Sequence, residues 1–224
     1  MALLTTGTGP NPSVSNGPIP LAASGRFVLH IIPLSAVSST ASVDPEHIYN
    51  HRAAFTPVGE VGLSSHYNLD GLINRQTSNI THGYTQIFRN GIVEAAMGNL
   101  IIKCENGQSG IAALKFERNI FRAFSNYING LNSIAVEPPL IMMFSLEGLK
   151  GARYFVRNSF ELPPFDRDVI QLPECVIERF GSDADYHRAV KPAFDALWNA
   201  AGFSGSKFFD KDTGLWNGQW SAAD

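Results

Sequence analysis

The spacing of apolar positions changes along the chain, and each change marks an element. Arg26-Phe-Val-Leu-His-Ile-Ile-Pro33 is a β-branched run closed by a proline, which predicts a central strand buried on both faces. Asp44-Pro45-Glu46 places an N-cap, a first-turn proline and a first-turn acid in order, and so predicts a short helix reaching Tyr49 or His51. Glycines and Pro57 mark residues 54–65 as a loop, and residues 67–75 alternate as one strand. Two β-prone runs flank Asn90-Gly91, a pair that tolerates the positive φ angles of a type I′ turn, so residues 84–96 predict a hairpin. Residues 100–104 add a strand, or extend the hairpin past a kink at Gly98.

The period then lengthens. Leu114, Ile120, Phe124, Ile128 and Leu131 form one stripe, with Lys115, Arg118, Arg122, Ser125 and Asn129 largely opposite, which predicts an amphipathic helix over residues 111–131. The prolines of Glu137-Pro-Pro stop any helix, and the dense apolar run after them reads as a strand, with residues 153–156 as its hairpin partner. A Pro-rich loop over 162–168 leads to short strands at 169–172 and 175–178. Ser182 or Asp183 caps a last helix over 186–200, whose stripe of Val190, Phe194, Leu197 and Trp198 ends at Gly202. Pro192, inside it, predicts a kink or a split after Val190. The sum is an α+β domain: a mostly antiparallel twisted sheet with two main helices packed on it, over residues 25–202. Residues 1–24, dense in Gly, Pro, Ser and Thr, read as a linker-like N-terminus, and residues 203–224 as either a docked arm or a flexible tail.

Composition adds bounds. A chain of 224 residues with a hydrophobic fraction of 44% can bury a real core. A net charge of −3 provides no long-range positive field, so nucleic-acid binding would have to use a local basic strip. Cys104 and Cys175 lack CxxC spacing and lie among apolar residues, which reads as two reduced, buried thiols of a cytoplasmic protein. No apolar run approaches the ~20 residues of a membrane span, so no membrane partner is expected.

Candidate chemistry is sparse. His47 and His51 stand four apart on the short helix, but the HExxH pattern is absent, and no metal site is assigned. Asp166-Arg167-Asp168, with Asp70 and His82, is the raw material for a metal-dependent nuclease or phosphoesterase; a salt-bridged loop is the plainer reading. There is no GxSxG elbow, P-loop or Rossmann turn, so no catalytic residue and no cofactor are assigned. The binding candidates are His82, Tyr84 and Arg89 on the hairpin and Lys115, Arg118 and Arg122 on the helix's basic face. On strand alternation, Tyr84 and Arg89 face opposite sides.

Gly25-Arg-Phe-Val-Leu-His-Ile-Ile-Pro-Leu-Ser-Ala36, Phe55-Thr-Pro-Val-Gly, Tyr67-Asn-Leu-Asp-Gly-Leu72, Tyr84-Thr-Gln-Ile-Phe-Arg-Asn-Gly91, Val136-Glu-Pro-Pro139, Leu172-Pro-Glu174 and Pro192-Ala-Phe-Asp-Ala-Leu-Trp-Asn-Ala-Ala-Gly202 occur in that order. Together they resemble the C-terminal region of bacterial proteins that carry a Schlafen AlbA-type DNA-binding domain. The resemblance implies that an AlbA-like domain, the part associated with nucleic-acid or nucleotide binding, precedes this region, with the Gly/Pro/Ser-rich start as linker. It transfers no catalytic residue. It implies a non-catalytic accessory, interaction or sensing module whose partner is an AlbA-like domain or a second copy of itself, with nucleic acid as a further partner through the basic helix face.

Overall fold

The structure, a computed structural model, describes residues 18–21, 24–38, 42–76, 82–156 and 163–220. An eight-stranded antiparallel sheet organises it, with eleven strands (β1 to β11) and three α-helices (α1 to α3) among the described residues. The order across the large sheet is β10 (Val169–Gln171), β8 (Leu140–Glu147), β1 (Arg26–Pro33), β5 (Val93–Met97), β4 (Gly83–Phe88), β3 (Gly71–Arg75), β2 (Ser64–Asn68), and β11 (Cys175–Ile177) pairs with the other end of β8. A small second sheet joins β6 (Ile102–Lys103), β7 (Ser109–Ala112) and β9 (Arg153–Phe155). The α+β reading of the sequence holds.

β1 is central, between β5 and β8, but it is covered unequally. Phe27, Leu29 and Ile31 are buried, whereas Arg26, Val28, His30 and Ile32 are only half-buried. A run of β-branched residues reports strand propensity on both faces, yet only one face meets the helices. Facing that inner side are Leu140, Met142, Phe144 and Leu146 of β8, all at most 2% exposed. At about 1.5–3 kcal/mol for each large apolar side chain, the β1–β8 seam is a main source of stability.

Both helices pack on this inner face. α2 (Ala113–Ser133) buries Ile120, Phe124, Ile128 and Leu131 of the predicted stripe and exposes Lys115, Arg118, Arg122 and Asn129, while Leu114 and Ser125 are half-buried and Phe116 is buried as well. It starts after β7, so residues 109–112 are strand and not helix. α3 (Asp183–Ala200) opens on a capping box in which Ser182 and Asp185 satisfy each other's backbone N–H groups. It closes on a Schellman motif: Phe203 N–H donates to Trp198 O, Gly202 N–H donates to Asn199 O, Gly202 takes φ +91°, and the Phe203 and Trp198 rings lie 4.9 Å apart. The helix is not split at Pro192 and runs on to Ala200. The short α1 (Pro45–Asn50) begins as predicted, with the Asp44 carboxylate accepting from Glu46 N–H.

Elsewhere the local reading needs correction. Residues 67–75 are not one strand: β2 and β3 pair through a tight turn at Leu69-Asp70, because Asn68 Oδ1 accepts from the N–H groups of Asp70 and Gly71 and folds the chain back. The Asn90-Gly91 hairpin forms, but as a longer loop. Gly91 N–H donates to Phe88 O, Phe88 N–H to Ile92 O, and Gly91 alone takes positive φ (+84°), the pattern of a type I turn followed by a glycine bulge. β9 does not pair with β8; it runs parallel to β7, where Gly110 makes room, since a Cβ there would lie 2.1 Å from Arg153 O. Cys175 is buried and Cys104 exposed, so the thiols differ in environment, and both are free.

Residues 203–220 dock as an arm. Phe208 and Phe209 enter the core cluster, and Trp216 stacks on Phe121 of α2 at 5.0 Å and 15°. No helix among the described residues is long and apolar enough to cross a membrane.

Candidate functional site

The outer face of the large sheet, turned away from α2 and α3, holds a polar cluster beside an apolar row. β1 and β5 pair His30 with Glu94, and His30 Nε2 donates to Glu94 Oε2 at 2.9 Å. Tyr84 on β4 donates its hydroxyl to Glu94 Oε1 at 2.6 Å. Burial alone would push the Glu94 carboxyl up, but the two hydrogen bonds and the nearby Arg26 outweigh it and hold the group below the usual carboxylate range. The same burial, with the Glu94 charge beside it, pushes the Tyr84 phenol far up, so it stays a donor. Gln86, opposite Glu94, exchanges hydrogen bonds with Asn68.

Next to this cluster the register sets Ile32, Ile141 and Val176 in one row across β1, β8 and β11, with Met143 opposite His30. Ile32, Ile141 and Met143 are half-buried, and Val176 and Val169 are 43% and 48% exposed. Residues 18–21 already use this face, Ile19 and Leu21, like Val28, packing on Ile73, Tyr84 and Ala96.

The predicted binding residues divide among four places. Tyr84 belongs to the outer-face cluster. His82 lies at the start of β4, beside Asn99, and Arg89 lies at the far end in the hairpin loop, where its Nε–H donates to Leu69 O. β4 separates them by six residues, about 20 Å, so the three hairpin residues form no single patch. Lys115, Arg118 and Arg122 share one exposed ridge of α2, on the opposite side of the molecule from the outer face.

On that side Arg118 and Arg122 border a groove of about 350 Å³ with Phe121, Ser125, Asp183, His187 and Trp216. Trp216 is held there from two directions. Its indole N–H donates to Glu117 Oε2 at 2.7 Å, and its backbone N–H donates to His187 Nδ1 at 3.0 Å. Burial lowers the His187 pKa, so the ring is neutral near pH 7 with its proton on Nε2.

Glu117 is fully buried, and among the described residues no cation is paired with it. Tyr154 of β9 and Trp198 of α3 donate to its Oε1 at 2.7 and 2.6 Å, and Trp216 to its Oε2. Burial raises its pKa to about 7 against the pull of the three donors, and the negative Asp195 adds to the rise. The carboxyl therefore ties α2, α3, the small sheet and the arm together.

The acidic alternative separates. Asp70 sits in the β2–β3 turn near one edge of the sheet, while Asp166 and Asp168 precede β10 at the other, five strand spacings or about 24 Å away. Asp166 pairs with Arg167 at 3.7 Å on the exposed loop, the salt-bridged reading. The histidines are engaged with carbonyls: His47 Nε2 donates to Ser133 O in the last turn of α2 and His51 Nδ1 donates to His47 O. Among the described residues no group of three or more His, Cys, Asp or Glu side chains could hold a metal ion.

His30, Glu94, Glu117, His187 and Trp216 were not singled out from sequence. A signal existed for the first two, each a polar residue interrupting an apolar strand run. None existed for the others, whose roles depend on contacts spanning up to 99 residues. No protein-family model matches the chain, and no curated protein matches it.

Proposed function

We propose that the chain is a non-catalytic interaction module that docks, through the outer face of its large sheet, on a folded partner domain of the AlbA-like nucleic-acid- or nucleotide-binding kind. The observation that carries this reading is the row Ile32, Ile141, Val176 with Met143, a partly uncovered apolar surface running from β1 across β8 to the edge strand β11. A half-open apolar row bordered by a fixed polar cluster is the anatomy of a protein interface, with a core that loses water and a rim that sets orientation. The path of the chain supports the choice of partner. Residues 18–21 lie on this same face, so a domain tethered through the Gly/Pro/Ser-rich segment before them is held near the row at high effective concentration. The resemblance to the region that follows an AlbA-like domain points to the same partner.

Sedimentation of the chain mixed with an AlbA-like domain tests the proposal. Association is expected, weakened at least tenfold by Ile141→Lys with Met143→Lys, both on the half-exposed side of β8. Self-association through the same residues, without binding of the domain, replaces the partner with a second copy. A monomer indifferent to the domain overturns the reading.

A further inference from the structure

The groove between α2 and α3 lies on the helix side, away from the outer sheet face, and does not depend on that docking. Its cations are what set it apart. Arg118 and Arg122 make no hydrogen bond or ion pair among the described residues, and neither does Lys115 one turn before them. Around the neighbouring arm the pattern is the reverse: Arg188 is held by Asp185 and Thr213 O, and Lys191 by Asp195. Cations closed by local acids have little left for a ligand, whereas two open guanidinium groups one helical turn apart present two forks to oxyanions.

The groove is also aromatic. Trp216 lies flat on Phe121, which covers one face of the indole, and its remaining half-buried surface borders the groove. The indole cannot swing freely, because Glu117 and His187 fix its N–H groups. Ser125 contributes a hydroxyl, and His187, its Nδ1 occupied by Trp216, has Nε2–H left as a donor. Asp183 is the one acid in the lining, so its carboxylate offsets one of the two arginine charges. A bare multivalent anion gains little from such a site. A ligand joining a phosphate to a flat ring system uses both the forks and the aromatic surface.

We infer that the Arg118, Arg122 and Trp216 groove binds the phosphate of a nucleotide, free or within single-stranded nucleic acid, with the base against the indole. The arginines hold phosphate oxygens, and Trp216, kept in place by Glu117, supplies the stacking surface.

The experiment is a pair of titrations of the full chain at low salt, one with a labelled twelve-nucleotide oligothymidylate followed by anisotropy, the other with ATP followed by calorimetry. Each is repeated with Arg118→Ala/Arg122→Ala and with Lys103→Ala, an exposed lysine on β6 outside the groove lining. The double variant removes surface charge alone, and circular dichroism checks its fold. Binding of either ligand, at least tenfold weaker in the double variant and unchanged in Lys103→Ala, is the expected result. For the oligonucleotide, the salt slope should also fall by roughly 1.4, about 0.7 for each phosphate that an arginine no longer neutralises. Binding of the oligonucleotide but not ATP identifies the strand as the source of the phosphate, and binding of ATP identifies the free nucleotide. No binding of either ligand, or equal weakening in Lys103→Ala, overturns the inference and leaves the docking proposal standing.

Discussion

Glu117 is an unusual residue to find on the buried stripe of an amphipathic helix, and its surroundings explain why it is tolerated. A carboxylate moved into a core costs several kcal/mol unless its oxygens are satisfied, and here Tyr154, Trp198 and Trp216 satisfy them with three donors. The balance still favours the proton, with the pKa raised from 4.5 to about 7. The folded state therefore holds a proton that the unfolded chain releases near pH 4.5. This contribution to stability is fully present below about pH 4.5, declines as pH rises toward 7, and is lost above it. A shift of this size is worth about 3 kcal/mol. Urea unfolding at pH 5, 6, 7 and 8 should show the decline, and Glu117→Gln should flatten it. Because the Gln amide would turn donors toward the indole N–H groups, the same variant should loosen the arm, read as faster hydrogen exchange at Trp216.

At the level of elements, what could be read from sequence was what depends on near neighbours. The α2 stripe, the Ser182 cap, the Gly202 stop and the hairpin around Asn90-Gly91 are fixed within a few residues, and all appear in the structure. What was missed depends on distant partners. β9 left β8 for β7 because Gly110 admits the Arg153 carbonyl, and the β2–β3 turn was hidden because Asn68 builds it from a segment that otherwise alternates as one strand. The α2 terminus carries a testable cost. Its Schellman motif puts Ala135, at φ +57°, where glycine is usual, with Val136 N–H donating to Leu131 O. Ala135→Gly should relieve the Cβ strain and stabilise the protein by about 1 kcal/mol, a rise in Tm of roughly 2–4 °C by scanning calorimetry.

On the scale of the whole molecule, the sheet divides two kinds of surface. Its inner face is covered by α2 and α3, and the two proposed binding surfaces are the outer face and the far side of the helices. The outer face offers Ile32, Ile141, Val176 and Met143 beside the His30, Glu94 and Tyr84 cluster, and the helix side offers the arginine groove. With a net charge of −3, long-range attraction would contribute little to either proposed encounter, and tethering would be the effective way to bring the proposed partner to the sheet. The most direct measurement is a methyl NMR titration of the labelled chain with an AlbA-like domain. If the outer face docks that domain, the methyl signals of Ile32, Ile141, Met143 and Val176 shift or broaden while those of Ile120 and Ile128, on the buried face of α2, stay in place. Unchanged outer-face methyls at saturating partner, or shifts confined to the helix side, would contradict it.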